Sequence, residues 1–340
     1  MGTKFIFIYI LLLISSSVIA QSFNFDEYVL SNWNIQEGLP QSSVNDIIQT
    51  QDGYIWLATF GGLVRFDGLN FTTFDRFNSE GMRSDRVLHL YESQDSSIWL
   101  STEDGFIRYY EGVFTPYVLR QDESQVFSPL VVDEDSEGQV WVSTNSNIYK
   151  FENDEFKEVK VSLNEVHTEL ALQDTTGALL AFERQVYRTY GDSVYKIIDL
   201  ESEITNNVVG VIEYPKNSAQ YFIATNGDGV IRYYENEFSK YSLPEFSPFN
   251  EIWNFSIDKK NQLWILGYGG QGIWTGSGIE SVNVLNEIEQ LEFNNILEDN
   301  EGNFWFASAG NGLYKLRPAR IKNIDRDQGL ANVQMLSLLA

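Results

Sequence analysis

The sequence predicts an all-β protein: a seven-bladed β-propeller of four-stranded antiparallel blades, closed by its N-terminal strand. A tryptophan, or a residue in its place, returns about every 42 residues, turn signals recur at the same offsets, and no segment between them has the period of a helix. A repeat of roughly 40–50 residues fits one four-stranded blade. The seven anchors of the repeat are Trp56, Trp99, Trp141, Leu180, Phe222, Trp264 and Trp305.

Each repeat predicts four strands joined by three tight turns. A turn residue such as Gly53 or Gly302 lies three positions before the anchor, and Asp, Thr or Ser lies six before it in most repeats. Glycine tolerates positive φ and the short polar side chains bond nearby backbone amides, so these positions form hairpins. We expect the anchors to be buried between blades. The acidic runs Asp133-Glu134-Asp135 and Glu298-Asp299 are expected to cap turns.

The two ends of the chain predict how the ring closes. Leu39 and Leu330 each follow a glycine and precede an apolar strand, and they are 291 residues apart, or seven periods. Residues 25–36 should therefore form an outer strand that pairs beside Tyr314–Leu316, which removes the exposed sheet edges. The expected organisation is a signal peptide at 1–20, the propeller at 21–318, and the first strands of a truncated following repeat or second propeller at 319–340.

Composition restricts location and partners. Residues 1–20 carry Lys4, an apolar run and small residues before a cut after Ala20, as in a secretory signal peptide. The chain has no cysteine and a formal charge of −25 at pH 7. That charge repels phosphates, so nucleic acid is not expected as a partner. We expect a periplasmic protein.

Residues with catalytic chemistry are scarce. The two histidines, His89 and His167, stand in no metal-binding spacing. The glycine-rich run at Gly267–Gly272 is followed by no helix, so it lacks a phosphate cradle. The sequence predicts no catalytic residue, no metal site and no cofactor.

A ligand site is expected at one mouth of the central channel. In a propeller, the loop before the innermost strand and the turn after the second strand lie on the same face. Aromatic faces can stack on a sugar while amides and carboxylates bond its hydroxyls. Turns do not require aromatic side chains, which favours the aromatic members. The predicted ligand-binding residues are Phe60, Glu103, Asn145, Asn226, Asp228, Trp253, Tyr268 and Asn311.

The segment GLPQSSVNDIIQTQDGYIWLATFGGLVRFDGLNFTTF resembles the repeat of the two-component regulator propeller family. The resemblance extends over residues 26–340, closest in the first two repeats and loosest in the fourth and fifth. It implies the periplasmic sensor region of a hybrid histidine kinase-type receptor, whose ligands are often glycan fragments. The kinase or other output module and the membrane span would lie outside this chain. The resemblance transfers no ligand residue, because the rim loops vary most.

The leading hypothesis is an extracytoplasmic sensor propeller that binds a small polar ligand or an oligosaccharide. Such a receptor would be anchored in the inner membrane by a downstream span and would dimerise through its C-terminal regions. The alternatives are a periplasmic propeller enzyme, either a lyase or a glycosidase, and an adhesion or scaffold propeller. A lyase would need a histidine beside a carboxylate at the channel mouth. A scaffold would show a broad exposed apolar face.

Overall fold

The computed structural model describes residues 28–122, 125–126, 131–144, 147–160, 177–242, 251–282 and 291–319. Within these ranges the chain forms seven antiparallel sheets in sequence order, which are the predicted seven blades, and one two-stranded hairpin. The predicted all-β, seven-bladed fold is confirmed. None of the helices in the described part is long and apolar enough to cross a membrane. The signal peptide and the following repeat fall on residues outside these ranges and stay predictions, apart from Ala319, which the structure describes.

Each blade runs from an inner strand at the channel to an outer strand at the perimeter. The first strand is β1 (Tyr28–Trp33), followed by a 3-10 helix (Ile35–Glu37). Blade 1 contains β2 (Val44–Gln49), β3 (Ile55–Thr59), β4 (Gly62–Phe66) and β5 (Phe71–Phe74). Blade 2 contains β6 (Val87–Glu92), β7 (Ile98–Thr102), β8 (Gly105–Tyr110) and β9 (Val113–Tyr117). The hairpin is β10 (Arg120–Asp122) and β11 (Gln125–Val126).

The remaining blades follow in order around the ring. Blade 3 contains β12 (Val131–Glu134), β13 (Val140–Ser143), β14 (Ile148–Glu152) and β15 (Glu155–Val159). The described strands of blade 4 are β16 (Leu179–Phe182), β17 (Gln185–Tyr190) and β18 (Ser193–Asp199). Blade 5 contains β19 (Val208–Glu213), β20 (Tyr221–Thr225), β21 (Val230–Tyr234) and β22 (Glu237–Tyr241). Blade 6 contains β23 (Ile252–Ile257), β24 (Leu263–Gly267), β25 (Gly270–Trp274) and β26 (Ile279–Ser281). Blade 7 contains β27 (Phe293–Glu298), β28 (Phe304–Ser308) and β29 (Leu313–Pro318).

The first strand completes the last blade, as predicted. β1 pairs antiparallel with β29 from Tyr28 opposite Pro318 to Trp33 opposite Leu313. The Trp33 ring then stacks on Trp305 with 5.7 Å between centroids and contacts Phe66 of blade 1 at 5.5 Å. The N-terminal strand thus joins the seventh blade and packs against the first.

An indole hydrogen bond explains the polar residue six positions before the anchor. The indole N–H donates to the carboxylate of that aspartate in three blades: Trp141 to Asp135 at 3.1 Å, Trp264 to Asp258 at 3.1 Å and Trp305 to Asp299 at 2.7 Å. In blade 1 the acceptor is the Thr50 hydroxyl. The other carboxylate oxygen accepts backbone N–H groups of the hairpin, so turn capping is confirmed for Asp135 and Asp299.

Blade 2 departs from this arrangement. The Ser93 hydroxyl donates to Glu134 of blade 3, and the Trp99 indole nitrogen has no acceptor among the described residues.

A basic residue lies opposite the anchor in most blades. Arg65 pairs with Trp56, Arg108 with Trp99 and Lys315 with Trp305 across the second and third strands. Each cation lies over the indole ring, the Lys315 ammonium at 4.5 Å from the ring centroid of Trp305. The predicted anchors are buried. In these three blades the cation covers the indole ring and so helps to keep it from water.

The anchor of blade 4 was placed one residue too far along the chain. Leu179, not Leu180, pairs with Arg188, and this is the position that Trp99 holds opposite Arg108. Leu180 is also buried, but it faces the preceding blade and packs against Trp141. In a strand, successive side chains face opposite sides of the sheet. A shift of one residue therefore makes a side chain pack against the preceding blade instead of the following one.

Candidate functional site

The predicted rim turns lie on one face of the ring, held by a repeated hydroxyl contact. The residue that ends the second strand donates its hydroxyl to a carbonyl across the turn, as Thr59 does to Gly62 at 2.7 Å and Ser308 to Gly312 at 2.7 Å. The same oxygen accepts an N–H from within the turn, for example that of Asn311 at 2.9 Å. These contacts fix the backbone, so the side chains at the turn are left to vary between blades.

Phe60 and Glu103 are brought together by a residue that the sequence analysis missed. Arg86 lies in the loop before β6, and its guanidinium carbon is 4.1 Å from the centroid of the Phe60 ring. Its Nε is 2.6 Å from the Glu103 carboxylate. The Arg86 and Glu103 side chains are both 48% exposed. This group joins the turns of blades 1 and 2.

Trp253 and Tyr268 form a second group, on blade 6. Their rings meet edge to face with 6.4 Å between centroids, and Tyr268 is 43% exposed. The Tyr268 N–H donates to the Glu251 carbonyl, and at Gly267 a Cβ would lie 2.5 Å from the same oxygen. The glycine therefore lets this turn approach the neighbouring segment closely, which fixes the backbone at Tyr268.

The remaining predicted site residues do not join either group. Asp228 accepts hydrogen bonds from the backbone and side chains of Thr205 and Asn206, so its carboxylate holds the loop of its own blade. Burial acts to raise its pKa, but these donors outweigh burial and hold the pKa below its usual value. Asn226 forms an isolated bridge with Glu251, and the carbonyl of the exposed Asn311 accepts from Asn32. Asn145 lies outside the described residues.

The inner strands surround a cavity of about 510 Å³ in the central channel. Five of them carry a one-residue bulge at the same place, after Val44, Val87, Val208, Ile252 and Phe293. Bulges re-aim the side chains that follow them. The residue just past the bulge lies opposite the residue two positions after the anchor. In blades 6, 7, 1 and 2, which are consecutive around the ring, this residue is polar and lines the cavity. These four residues form a polar arc: Asn254, Asn295, Asp46 and His89.

Most of this polar arc is engaged in holding the blades together. Asp46 accepts from the N–H of Ile47 and of Leu90, each at 2.8 Å, and from the Asn295 amide. Asn254 donates to the Asn294 carbonyl at 3.1 Å. The Trp253 indole also has a structural role, because it donates to the Phe293 carbonyl of the next blade at 3.1 Å.

His89 differs from the other members of the arc. Its side chain is 57% exposed, and its Nδ1 lies 3.9 Å from the buried Asp46 carboxylate. Burial raises the pKa of Asp46, and the nearby imidazole acts in the opposite direction. The prediction that His89 lies in an inner strand is confirmed, and the strand brings it beside a carboxylate. His167 lies outside the described residues, and within the described ranges no three His, Asp or Glu side chains gather to hold a metal ion.

Asp133, on the inner strand of blade 3, accepts the N–H of Leu179 in blade 4 and has a perturbed pKa. Burial raises its pKa to about 6 from 3.8, although the N–H donors of Leu179 and Glu134 act to lower it. The folded protein therefore keeps a proton that the unfolded chain releases between these values. Stability from this group is present below pH 4 and is lost as the pH rises through 6.

We expect Asp133→Asn to remove this pH dependence. Asparagine does not titrate, so the variant should not lose this contribution as the pH rises. Between pH 4 and pH 7 the unfolding free energy of the unsubstituted protein should therefore fall by about 3 kcal/mol relative to that of the variant. Urea denaturation of both proteins at several pH values measures this difference. Parallel stability profiles across that range would show that Asp133 titrates normally.

Comparisons with known proteins agree with this fold. The model of the two component regulator propeller family matches residues 38–61. No curated protein matches the sequence. The extracellular domain of a hybrid two component system from B. thetaiotaomicron is 18% identical, with a TM-score of 0.65 over 86% of this chain and 42% of that one. A second such domain from B. thetaiotaomicron is 16% identical, with a TM-score of 0.64 over 86% of this chain and 43% of that one. This chain thus spans less than half the length of either domain.

Lyases share the architecture as well. A catalytically inactive histidine variant of virginiamycin B lyase from Staphylococcus aureus, solved with quinupristin, is 17% identical, with a TM-score of 0.66 over 85% of this chain and 99% of that one. At these identities the structural likeness shows the propeller fold alone, and the match to the family model is confined to residues 38–61. The chain is a seven-bladed propeller in which residues 38–61 match the model of the two-component regulator propeller family.

Proposed function

We propose that this chain is the extracytoplasmic ligand-binding propeller of a two-component signalling receptor, and that it takes a glycan-derived or other small polar ligand at the mouth of its central channel. The observation that carries the proposal is the pair formed by Trp253 and Tyr268. The rim turn of a blade does not need an aromatic residue, yet an exposed tyrosine is held there against a tryptophan that lines the cavity. The predicted signal peptide and the fold shared with extracellular domains support the location.

The pair is suited to bind a sugar ring. A tyrosine held by its backbone and by an edge-to-face neighbour loses little conformational entropy on binding. Its ring presents an apolar face and its hydroxyl a polar edge, which matches the two-sided surface of a pyranose. Binding would favour one arrangement of the blades or protomers and so transmit a signal.

Tyr268→Ala should abolish ligand binding. We would screen the full chain against a panel of defined oligosaccharides by thermal shift and measure the affinity of each hit by calorimetry. The matched control is Tyr110→Ala, because Tyr110 is 42% exposed but lies at the opposite end of its blade. Binding that survives Tyr268→Ala, or is lost equally in the control, would reject the rim site. Absence of any response to the panel would count against the proposed function itself.

A lyase is a second candidate, favoured by one observation: the exposed imidazole of His89 lies 3.9 Å from a buried carboxylate inside the channel. A carboxylate beside a histidine can orient the ring for proton transfer. Incubation with quinupristin and Mg²⁺, followed by mass spectrometry, tests this candidate. Turnover that disappears in His89→Ala would favour the enzyme, and an unchanged compound would remove the support for it.

A further inference from the structure

We propose that blade 2 provides a subsite for a carboxylate, in which Arg86 pairs with the acid group of a uronic-acid-bearing oligosaccharide and His89 donates to a second oxygen of the same ligand. This inference rests on the proposed function and narrows the class of ligand. Three features of the described residues support it: how Arg86 is held, what remains free on it, and how His89 differs from its equivalents.

Arg86 is held on two sides. The Phe60 ring covers one face of the guanidinium at 4.1 Å, and Glu103 binds its Nε at 2.6 Å. An arginine normally loses rotamer freedom when it binds a ligand, and this arrangement reduces that loss before the ligand arrives. Phe60 and Glu103 thus act as positioning residues for Arg86.

The outer edge of the guanidinium remains open. Among the described residues the Arg86 side chain is ion-paired only through its Nε, so the two terminal nitrogens are not engaged, and the side chain is 48% exposed. Two parallel N–H groups match the two oxygens of a carboxylate, which is the strongest pairing that arginine makes at a surface. A neutral hydroxyl would use only part of this edge.

His89 lies three residues further along the same chain, within the channel. At the equivalent position of other blades the side chain caps the next backbone N–H, as Asn254 does for Phe255 and Asn295 for Ile296. In blade 2 the N–H of Leu90 is taken by Asp46 instead. The fold therefore does not use His89 for this role. Its Nδ1 lies 3.9 Å from Asp46 and its side chain is 57% exposed, so the ring is accessible to a ligand in the channel. Three residues of strand span at most about 10 Å, the reach of a disaccharide.

The test compares acidic sugars with their neutral counterparts. We would measure binding of digalacturonate and diglucuronate, and of the matching neutral disaccharides, to the full chain by calorimetry. We expect the acidic sugar of the preferred pair to bind about tenfold more tightly or better. Arg86→Gln should remove that preference while changing the affinity for the neutral sugar by less than about twofold, and Arg86→Lys should keep only part of it.

The chain offers a matched control in Arg76. This arginine also has an aromatic ring at 4.9 Å (Phe77) and a carboxylate at 3.1 Å (Asp85), but it follows the outer strand of blade 1, whereas Arg86 directly precedes the inner strand that carries His89. Arg76→Gln should leave the preference for the acidic sugar intact. Loss of the preference in Arg76→Gln as well would assign it to general surface charge and overturn the inference.

His89 has an independent readout. The chain has two histidines, so the His89→Gln variant identifies the imidazole signal of His89 by proton nuclear magnetic resonance. Digalacturonate or diglucuronate should shift that signal in the unsubstituted protein. Neutral disaccharides that bind as tightly as the acidic ones, or acidic disaccharides that do not bind, would overturn the carboxylate subsite. In the first case the proposed sensor function would stand, since Tyr268→Ala tests it separately.

Discussion

Replacing Asp299 by alanine should lower the free energy of unfolding by about 3–5 kcal/mol. The Asp299 side chain is 1% exposed. One carboxylate oxygen accepts the N–H groups of Glu301 and Asn303, and the other accepts the Asn303 amide and the Trp305 indole. Alanine would remove the acceptor of the Glu301 and Asn303 N–H groups and of the buried Trp305 indole, while the Asn303 amide would keep only its 3.3 Å contact with Glu301. Chemical denaturation followed by tryptophan fluorescence measures the loss.

The equivalent position of blade 2 supplies the control. Ser93 stands six residues before Trp99, whose indole nitrogen already lacks an acceptor. Ser93→Ala removes the bond from its hydroxyl to Glu134 and should cost about 1 kcal/mol. Equal losses in the two variants would mean that the indole bond does not hold the blade, and that burial of the ring alone does.

Gly312→Ala should destabilise the protein by about 3–5 kcal/mol, because it pushes the N-terminal strand away from the last blade. Gly312 has a φ of +89°, and a Cβ there would lie 2.0 Å from the Trp33 carbonyl oxygen. The backbone at both sites would have to shift, which weakens the stacking of Trp33 on Trp305. Thermal unfolding and the near-ultraviolet circular dichroism of the tryptophans would report the change.

Gly276 separates the crowding from the backbone strain. Its φ is +94°, but no atom lies within 4 Å of where its Cβ would be. Gly276→Ala should therefore cost about 1–2 kcal/mol, the strain of a left-handed residue alone. If both alanine variants lost the same amount, closure of the ring by the first strand would not depend on the close approach at Gly312.

The ring, the blade count and the closing strand were predictable because they depend on periodicity. An anchor about every 42 residues and a turn at a constant offset from it can be recognised in the sequence without knowing any contact. The turn positions were also predictable, and Ser96, Ala219 and Asn261 have positive φ although none is glycine. The error at Leu180 has a physical cause. Leu179 and Leu180 are the same residue type, and only the pairing of Leu179 with Arg188 shows which of them takes the anchor position.

The site was less predictable, because bonds between blades are not visible in a repeat. Asp228 was predicted as a ligand residue, but its acceptors are occupied by its own loop. His89 was assigned no role, and a bulge places it beside Asp46 of the preceding blade. Arg86 was not predicted because all the predicted residues except Trp253 came from the turns after the second strand, whereas Arg86 lies in the loop before an inner strand. A signal was present: three arginines fall within residues 76–86 of an acidic chain.

The shared seventh blade has a consequence for how the protein is made. β1 is among the first segments to leave the ribosome, while β29, its partner, ends at Pro318. Until then Trp33 cannot stack on Trp305, and the apolar side of β1 has no permanent neighbour. Domains generally fold as units during synthesis, so this propeller should reach its protected form only after β29 has been synthesised. A chaperone that shields β1 until β29 is available would raise the yield more than one acting on the middle blades.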